Sequence, residues 1–301
     1  MHMLNKIFSA LINVPCALKK TKSPRLIMTL LVKNEEALLE DNLIFHKSMG
    51  VDAFIITDNN STDTTPQIIK KYKDLGWIIE VINETATDYK QKKWVDRMIF
   101  LAINKHHADW IINADADELW HSPSGNLKNE INNTRSNVLV CEMKCMYPDE
   151  NLPFYLWNRA VNPVVDYEKY DLSPYSLFCK QNKKVAHRAK GYIQISMGNH
   201  NVKMIPKISK KSDITVYHYN IRGRQPFICK MINGGQQLER SKQRHGGRHW
   251  RYFYQLYNEN KLNDEYDRVI GINQYDNLCK DGYIYYDTTI SDYFKNKLAN
   301  E

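Results

Sequence analysis

Apolar and polar positions alternate along the first half of the chain in blocks that read as strands and helices in turn. Leu26-Ile-Met-Thr-Leu-Leu-Val32 is a nearly unbroken apolar run, as expected for a strand buried on both faces. Glu35 to Met49 carries Leu38, Leu39, Ile44 and Phe45 near helical period and stops at Gly50. Ala53 to Thr57 predicts a second strand, and Asn59 to Asp63 supplies turn and helix-capping residues. A short helix follows over Thr65 to Tyr72 and a third strand over Trp77 to Ile82. A long amphipathic helix is predicted from Asp88 to His106, with Trp94, Met98, Leu101 and Ala102 on one stripe. Trp110 to Asn113 closes the series as a fourth strand. This rhythm predicts an α/β fold, a mostly parallel sheet flanked by helices.

After about Asn133 the rhythm changes. Val138 to Met146 reads as another strand, and Tyr147 to Tyr175 is aromatic, contains prolines and has few clear elements. Four segments result: 1–22, an amphipathic or frayed terminus; 23–135, the regular half; 136–257, the irregular half; and 258–301, an acidic and aromatic tail. No internal repeat or low-complexity tract is evident.

Composition narrows the class. The 301 residues are 43% hydrophobic and 25% charged, which suits a folded globular chain of one large or two small domains. No apolar run reaches the roughly 18 residues of a membrane span. The apolar stretch Ile7 to Leu18 is interrupted by Asn13 and Pro15 and is followed by a poor cleavage site, so a surface contact or a frayed end is expected there. Cys16, Cys141, Cys145, Cys179, Cys229 and Cys279 form no CxxC pair. They read as reduced packing residues of a cytoplasmic protein, with disulfides as the weaker alternative. The formal net charge is +8, and it is concentrated: Lys180 to Arg251 holds seventeen Lys and Arg against two acids.

In parallel α/β sheets, ligands bind beyond the carboxyl ends of the strands. Polar residues gather there. Lys33-Asn34-Glu35-Glu36 follows the first strand, Asp58-Asn-Asn-Ser-Thr-Asp63 the second, and Asp115-Ala-Asp117-Glu118 the fourth. Three carboxylates within four residues suit Mg²⁺ or Mn²⁺, which keep positions open for phosphate oxygens. The plainer alternative is an Asp-rich turn. Asp58 could accept from a ribose or a base edge, or simply belong to a helix-capping turn. Glu36 could equally be a first-turn acid complementing a helix dipole.

Taken in order, Leu31-Val-Lys-Asn-Glu-Glu36, Asp58 to Thr65 and Asn113-Ala-Asp-Ala-Asp-Glu-Leu-Trp120 resemble the nucleotide-sugar glycosyltransferases of the GT-A fold. The match is to the family-2-like group of bacterial surface-polysaccharide synthesis. Lys184 to Arg188, Gly198-Asn-His200 and Val216 to Arg222, followed by Phe227, Lys230 and Gly234-Gly235, extend the resemblance over about Arg25 to Gly235.

The resemblance implies a GT-A, Rossmann-like sheet with an irregular, acceptor-binding second half. It implies that Asp115 and Asp117 hold Mn²⁺ or Mg²⁺ on the donor diphosphate, with His218 reaching the same metal. It implies that Asp58 contacts the nucleoside, that Asn34 and Glu35 line the nucleotide pocket, and that His200 lines the acceptor. The reaction implied is transfer of a sugar, from a UDP-sugar, to a saccharide or lipid-linked saccharide in lipopolysaccharide, capsule or related glycan synthesis, with inversion.

Such chemistry needs a Lewis acid at the departing diphosphate, further positive charge such as Arg222 or Lys230, and a carboxylate to take the acceptor's proton. Asp149, Glu150 and Asp166 are candidates for that base, Asp149 and Glu150 preferred because they follow a strand end. The basic half then reads as a surface for anionic membrane on the cytoplasmic face, with Arg240 to Arg251 lying on phosphate headgroups. Two other functions compete. A nucleotidyltransferase would share the sheet and cation, but would open with a glycine-rich loop that Leu31 to Glu36 lacks. A nucleic-acid binder would use the basic half, with Tyr217, Tyr219, Trp250 and Tyr252 interleaved, and would leave the three acidic clusters unexplained.

Overall fold

The structure is a computed structural model that describes residues 23–86, 91–132, 134–240 and 247–299. Segment 1–22, with Cys16, lies outside the described residues, as do 87–90 in the predicted long helix and 241–246 in the Arg240 to Arg251 run. Two compact units divide the chain: Met1–Met143 with Asn182–Tyr217, and Lys144–Gln181 with His218–Glu301.

The first unit is built on strands β1 (Leu26–Val32), β2 (Ala53–Asp58), β3 (Ile78–Asn83) and β4 (Trp110–Ala114). They lie in the order β3-β2-β1-β4 and pair in parallel. Crossover helices connect them: α1 (Leu39–Ser48), α2 (Thr65–Asp74) and α3 (Gln91–Asn104). All of β2 and β4 is buried, and β1 is buried except for a partly exposed Leu31. That explains why these strands read as apolar runs and not as alternation. Strand β3, at the end of the order, is only half-buried. Helix α3 packs Val95, Met98, Ile99 and Ala102 against Ile27, Ile55 and Ile111 of the sheet. Burying side chains of this size contributes about 1.5–3 kcal/mol each. Gly50 follows α1 with φ +91°, and a Cβ there would meet Asn126 Oδ1 at 2.4 Å, so the turn requires glycine.

Strand β8 (Lys184–Arg188) pairs antiparallel with β4, and β6 (Val138–Met146) antiparallel with β8. Strand β11 (Ser209–His218) pairs with β6 and with the short β5 (Glu118–His121). Helix α4 (Leu127–Asn132) lies between β5 and β6 in the chain, and β9 (Tyr192–Ile195) forms an antiparallel pair with β10 (Val202–Met204). Part of the basic half is absorbed by this packing. Lys184 and Arg188 are buried, and the Arg188 guanidinium lies 5.2 Å from the Trp110 ring centroid. Lys190, Lys203, Lys207, Lys210 and Lys211 remain exposed.

The second unit has an aromatic core. The end of β6 pairs with β7 (Arg159–Val161), which pairs with β12 (Ile284–Tyr286). Helices α5 (Arg224–Arg240), α6 (Arg248–Asn258), α7 (Leu262–Ile270), α8 (Tyr275–Lys280) and α9 (Thr289–Leu298) complete it. Phe227 meets Phe253 and Tyr266 with ring centroids 5.1 and 5.5 Å apart, beside buried Tyr147 and Tyr170. Much of the unit's aromatic content is therefore core. The described cysteines Cys141, Cys145, Cys179, Cys229 and Cys279 are free thiols. No helix among the described residues is long and apolar enough to cross a membrane.

Candidate active site

The acidic stretches of the first unit meet at one edge of its sheet. Val32, the last residue of β1, pairs with Asp58 on one side, and Leu30 pairs with Ala114 on the other. Asp58 and Asp115 therefore flank the carboxyl end of β1, two strand spacings or about 10 Å apart along the edge. The loop after β1 carries Asn34, Glu35 and Glu36 and is hydrogen-bonded to the loop after β2.

This edge is tightly braced. Asn34, at φ +54°, donates its backbone N–H to Ser61 Oγ (2.9 Å), and its side-chain oxygen accepts from the Thr62 N–H (2.8 Å). The Glu35 N–H donates to Thr65 Oγ1 at 2.9 Å. Glu36 accepts from the N–H and hydroxyl of Thr64 at 3.0 and 2.7 Å, so it tethers the start of α2. Asp63 accepts from the Thr65 N–H at 3.0 Å, one residue earlier than the helix boundary at Thr64. Asp58, nearly buried, accepts the N–H and hydroxyl of Ser61 on Oδ1. The two first loops thus form one hydrogen-bonded layer.

The turn after β4 gathers Asp115, Asp117 and Glu118 around Lys184 of β8. Lys184 Nζ lies 2.5 Å from Glu118 Oε1 and 3.2 Å from Asp115 Oδ2. Glu118 is fully buried and Lys184 nearly so, while the Asp115 side chain is 40% exposed. Burial works against the ammonium charge, but the two carboxylates outweigh it and raise the Lys184 pKa above its ordinary value. The buried Asp117 brings a carboxylate oxygen within 4.8 Å of one of Glu118. These four side chains carry three negative charges and one positive. Hard, anionic oxygen donors with a charge deficit of this sign fit Mg²⁺ or Mn²⁺.

Asn199, in the predicted Gly-Asn-His pattern, has φ +56° and is buried. Its side-chain nitrogen donates to the carbonyls of Asn113 and Val185, which ties β4 to β8 immediately before the acidic turn. His200, beside it, is exposed, with Nδ1 3.1 Å from the Lys183 carbonyl oxygen.

Behind the turn, α1 presents two polar residues that sequence reasoning missed. Asn42 and His46 are fully buried. The Asn42 amide nitrogen donates to the carbonyls of Ala116 (3.0 Å) and Glu118 (2.9 Å). His46 Nε2 accepts the Trp120 N–H at 3.0 Å, so its proton is on Nδ1, 2.9 Å from both Asn42 oxygens. Burial pushes the His46 pKa down to about 3 and keeps the ring neutral. The available signal was two polar residues spaced i, i+4 on the otherwise apolar inner stripe of α1.

The other predicted site residues belong to the second unit. Asp149 accepts from the Asn151 N–H at 3.1 Å. Glu150 accepts from the first N–H of α5, at Arg224, and from the Tyr266 hydroxyl, at 3.2 and 3.3 Å. That places it at the positive end of a helix. Asp166 accepts from the Lys169 N–H at 3.1 Å. Arg222 is half-buried just before α5, and Lys230 is exposed on it. His218 Nδ1 lies 3.9 Å from Cys145 Sγ.

Residues 31–143, which include every acidic cluster of this edge, match the family model described as glycosyl transferase family 2. No curated protein matches the chain. Among solved structures, a crystal structure of S. aureus TarS residues 1–349 is 15% identical over 84% of this chain and 74% of that one, with a TM-score of 0.40. The same fragment in complex with UDP is 13% identical, with equal coverages and TM-score. These overall likenesses are loose. Residues 31–143 are thus similar to the family-2 glycosyltransferases, and they lie on a mostly parallel α/β sheet of the kind expected of the GT-A type.

Proposed function

We propose that the chain is a metal-dependent, inverting glycosyltransferase that moves a sugar from a UDP-sugar to a saccharide acceptor in surface-glycan synthesis. The observation that carries this reading is the convergence of Asp58, Asp115 and Asp117 at the carboxyl edge of one parallel sheet. Asp115 and Asp117 hold the cation and Asp58 the nucleoside, on a ledge shaped by Asn34 and Glu35. A bound Mn²⁺ or Mg²⁺ supplies Lewis-acid stabilisation of the departing nucleoside diphosphate. The acceptor hydroxyl oxygen bonds to the anomeric carbon, the bond from that carbon to the diphosphate oxygen breaks, and a carboxylate takes the hydroxyl proton. From the motif resemblance alone, Asp149 or Glu150 is that carboxylate, His218 a further metal ligand, and Arg222 and Lys230 a source of positive charge. Glu150 would first have to leave its hydrogen bonds at the start of α5, which makes Asp149 the simpler choice.

The acceptor is a lipid-linked saccharide on the cytoplasmic face of a membrane, and exposed Lys190, Lys203, Lys207, Lys210 and Lys211 suit contact with anionic headgroups. The test is a donor screen that measures release of nucleoside diphosphate, with and without Mn²⁺, offering acceptors free and on anionic vesicles. UDP release that needs the cation, rises with vesicle-borne acceptor and disappears in Asp117→Ala is expected. Undiminished turnover by folded Asp117→Ala, or in excess chelator, would overturn the metal role.

A further inference from the structure

The acidic turn runs into β5, an edge that has no second neighbouring strand among the described residues. β5 pairs with β11, and the carbonyl of Glu118 and the N–H of Trp120 are two residues apart. In extended chain such groups point to the same side, where an adjoining strand would receive them. Here α1 takes the place of that strand with two side chains. Asn42 donates to the Glu118 carbonyl, His46 accepts the Trp120 N–H, and Asn42 also holds the Ala116 carbonyl.

The polarity of the network is determined throughout. Trp120 N–H must donate, so His46 Nε2 accepts and Nδ1 carries the proton. Nδ1–H then faces the Asn42 oxygens, which orients the amide so that its NH₂ faces the turn. Both side chains are fully buried, so water cannot substitute for either. The three tethered backbone groups bracket Asp117, at residues 116, 118 and 120. A core needing only to be filled would place leucines here, as α1 does at Leu39 and Leu43.

We propose that Asn42 and His46 are positioning residues that hold the Asp115–Trp120 backbone in the conformation that aims Asp117 at the cation. This rests on the cation reading given above. Neither residue touches the donor. Removing either leaves the carboxylates present but the turn free to shift, and a misplacement of about 1 Å is enough to cost roughly a hundredfold in rate.

The test uses the full chain and UDP as the probe, titrated by calorimetry in MnCl₂ and again in excess EDTA, at low temperature where each variant's circular dichroism shows it folded. Wild type should bind UDP at least tenfold more tightly in Mn²⁺. Asn42→Leu and His46→Leu should lose most of that Mn²⁺-dependent gain while matching wild type in EDTA. His46→Gln, whose side-chain oxygen can still accept the Trp120 N–H, should recover most of it. A purely structural role would lower thermal stability without touching the difference between the two titrations.

Folded leucine variants that keep the full Mn²⁺ gain would overturn the inference while leaving the cation reading intact. If neither leucine variant folds, the pair serves folding, and the positioning role is overturned. A wild type with equal affinity in Mn²⁺ and EDTA would sink the cation reading itself, and this inference with it.

Discussion

At the scale of single residues, the site depends on one buried cation placed among acids. Lys184 serves Glu118 at 2.5 Å with both side chains out of solvent. Breaking such a pair from one side strands a charge and costs about 3–5 kcal/mol. Lys184→Met should therefore lower unfolding free energy by about that much in urea titrations, and the double variant Lys184→Met with Glu118→Gln should recover most of it. A loss below about 1 kcal/mol in the single variant would contradict the pairing. The acids themselves were legible in the sequence, because an apolar strand that switches abruptly to Asp and Asn is a local pattern. Lys184 and the Asn42–His46 pair were not, because their partners in the acidic turn lie 66 to 76 residues away. Lys184 stood inside a quoted motif, but spacing alone did not reveal which charge it meets. The contact of Glu36 was hidden for the same reason: its partner Thr64 is 28 residues off.

At the scale of elements, two of those carrying the site hold a neutral, buried histidine. His46 on α1 is pushed down to about 3 and His187 on β8 to about 4, in both cases by burial. Unfolded, each protonates near 6.5. The unfolded chain thus binds more protons below that pH, and stability that is complete above about pH 6.5 declines as pH falls toward the folded values. Each histidine contributes a slope of about 1.4 kcal/mol per pH unit inside its window. The carboxylates held low by partners, Glu80 by Lys105 and Glu142 by Lys183, start from 4.5, so the interval from pH 6.5 to 5 isolates the histidines. Urea midpoints should fall between pH 7 and pH 5.5, and less steeply in His187→Leu. Equal midpoints at the two pH values would contradict neutral burial.

Element boundaries in the parallel half followed closely from apolar periodicity, because β1, β2 and β4 are sealed on both faces and only β3, at the end of the order, is half-buried. Helix α3 also buries most of the predicted stripe, with Val95 and Ile99 in addition and Leu101 only partly covered. The region from Tyr147 to Tyr175 was opaque. Its short pieces, such as β7, take their order from pairing with β12 more than a hundred residues later.

At the scale of the whole molecule, the chain's charge pattern and its compact units do not coincide. The basic stretch that looked continuous in sequence is divided at Tyr217 between two units, and within the first it splits into buried Lys184 and Arg188 and an exposed set of lysines. Net charge along a sequence therefore overstated the available surface, while hydrophobic periodicity located the strand ends that carry the acidic clusters. The acidic clusters concentrate where three loops leave the parallel part of the sheet, and the family-2 match covers the stretch that supplies them. The most direct measurement is an anomalous-diffraction map at the manganese edge from crystals of the full chain grown with MnCl₂ and UDP. A single strong peak within coordination distance of Asp117, bridged by diphosphate to the edge bearing Asp58, is the predicted result. A manganese peak remote from the acidic turn, or UDP bound there with no metal between it and Asp117, would contradict the account.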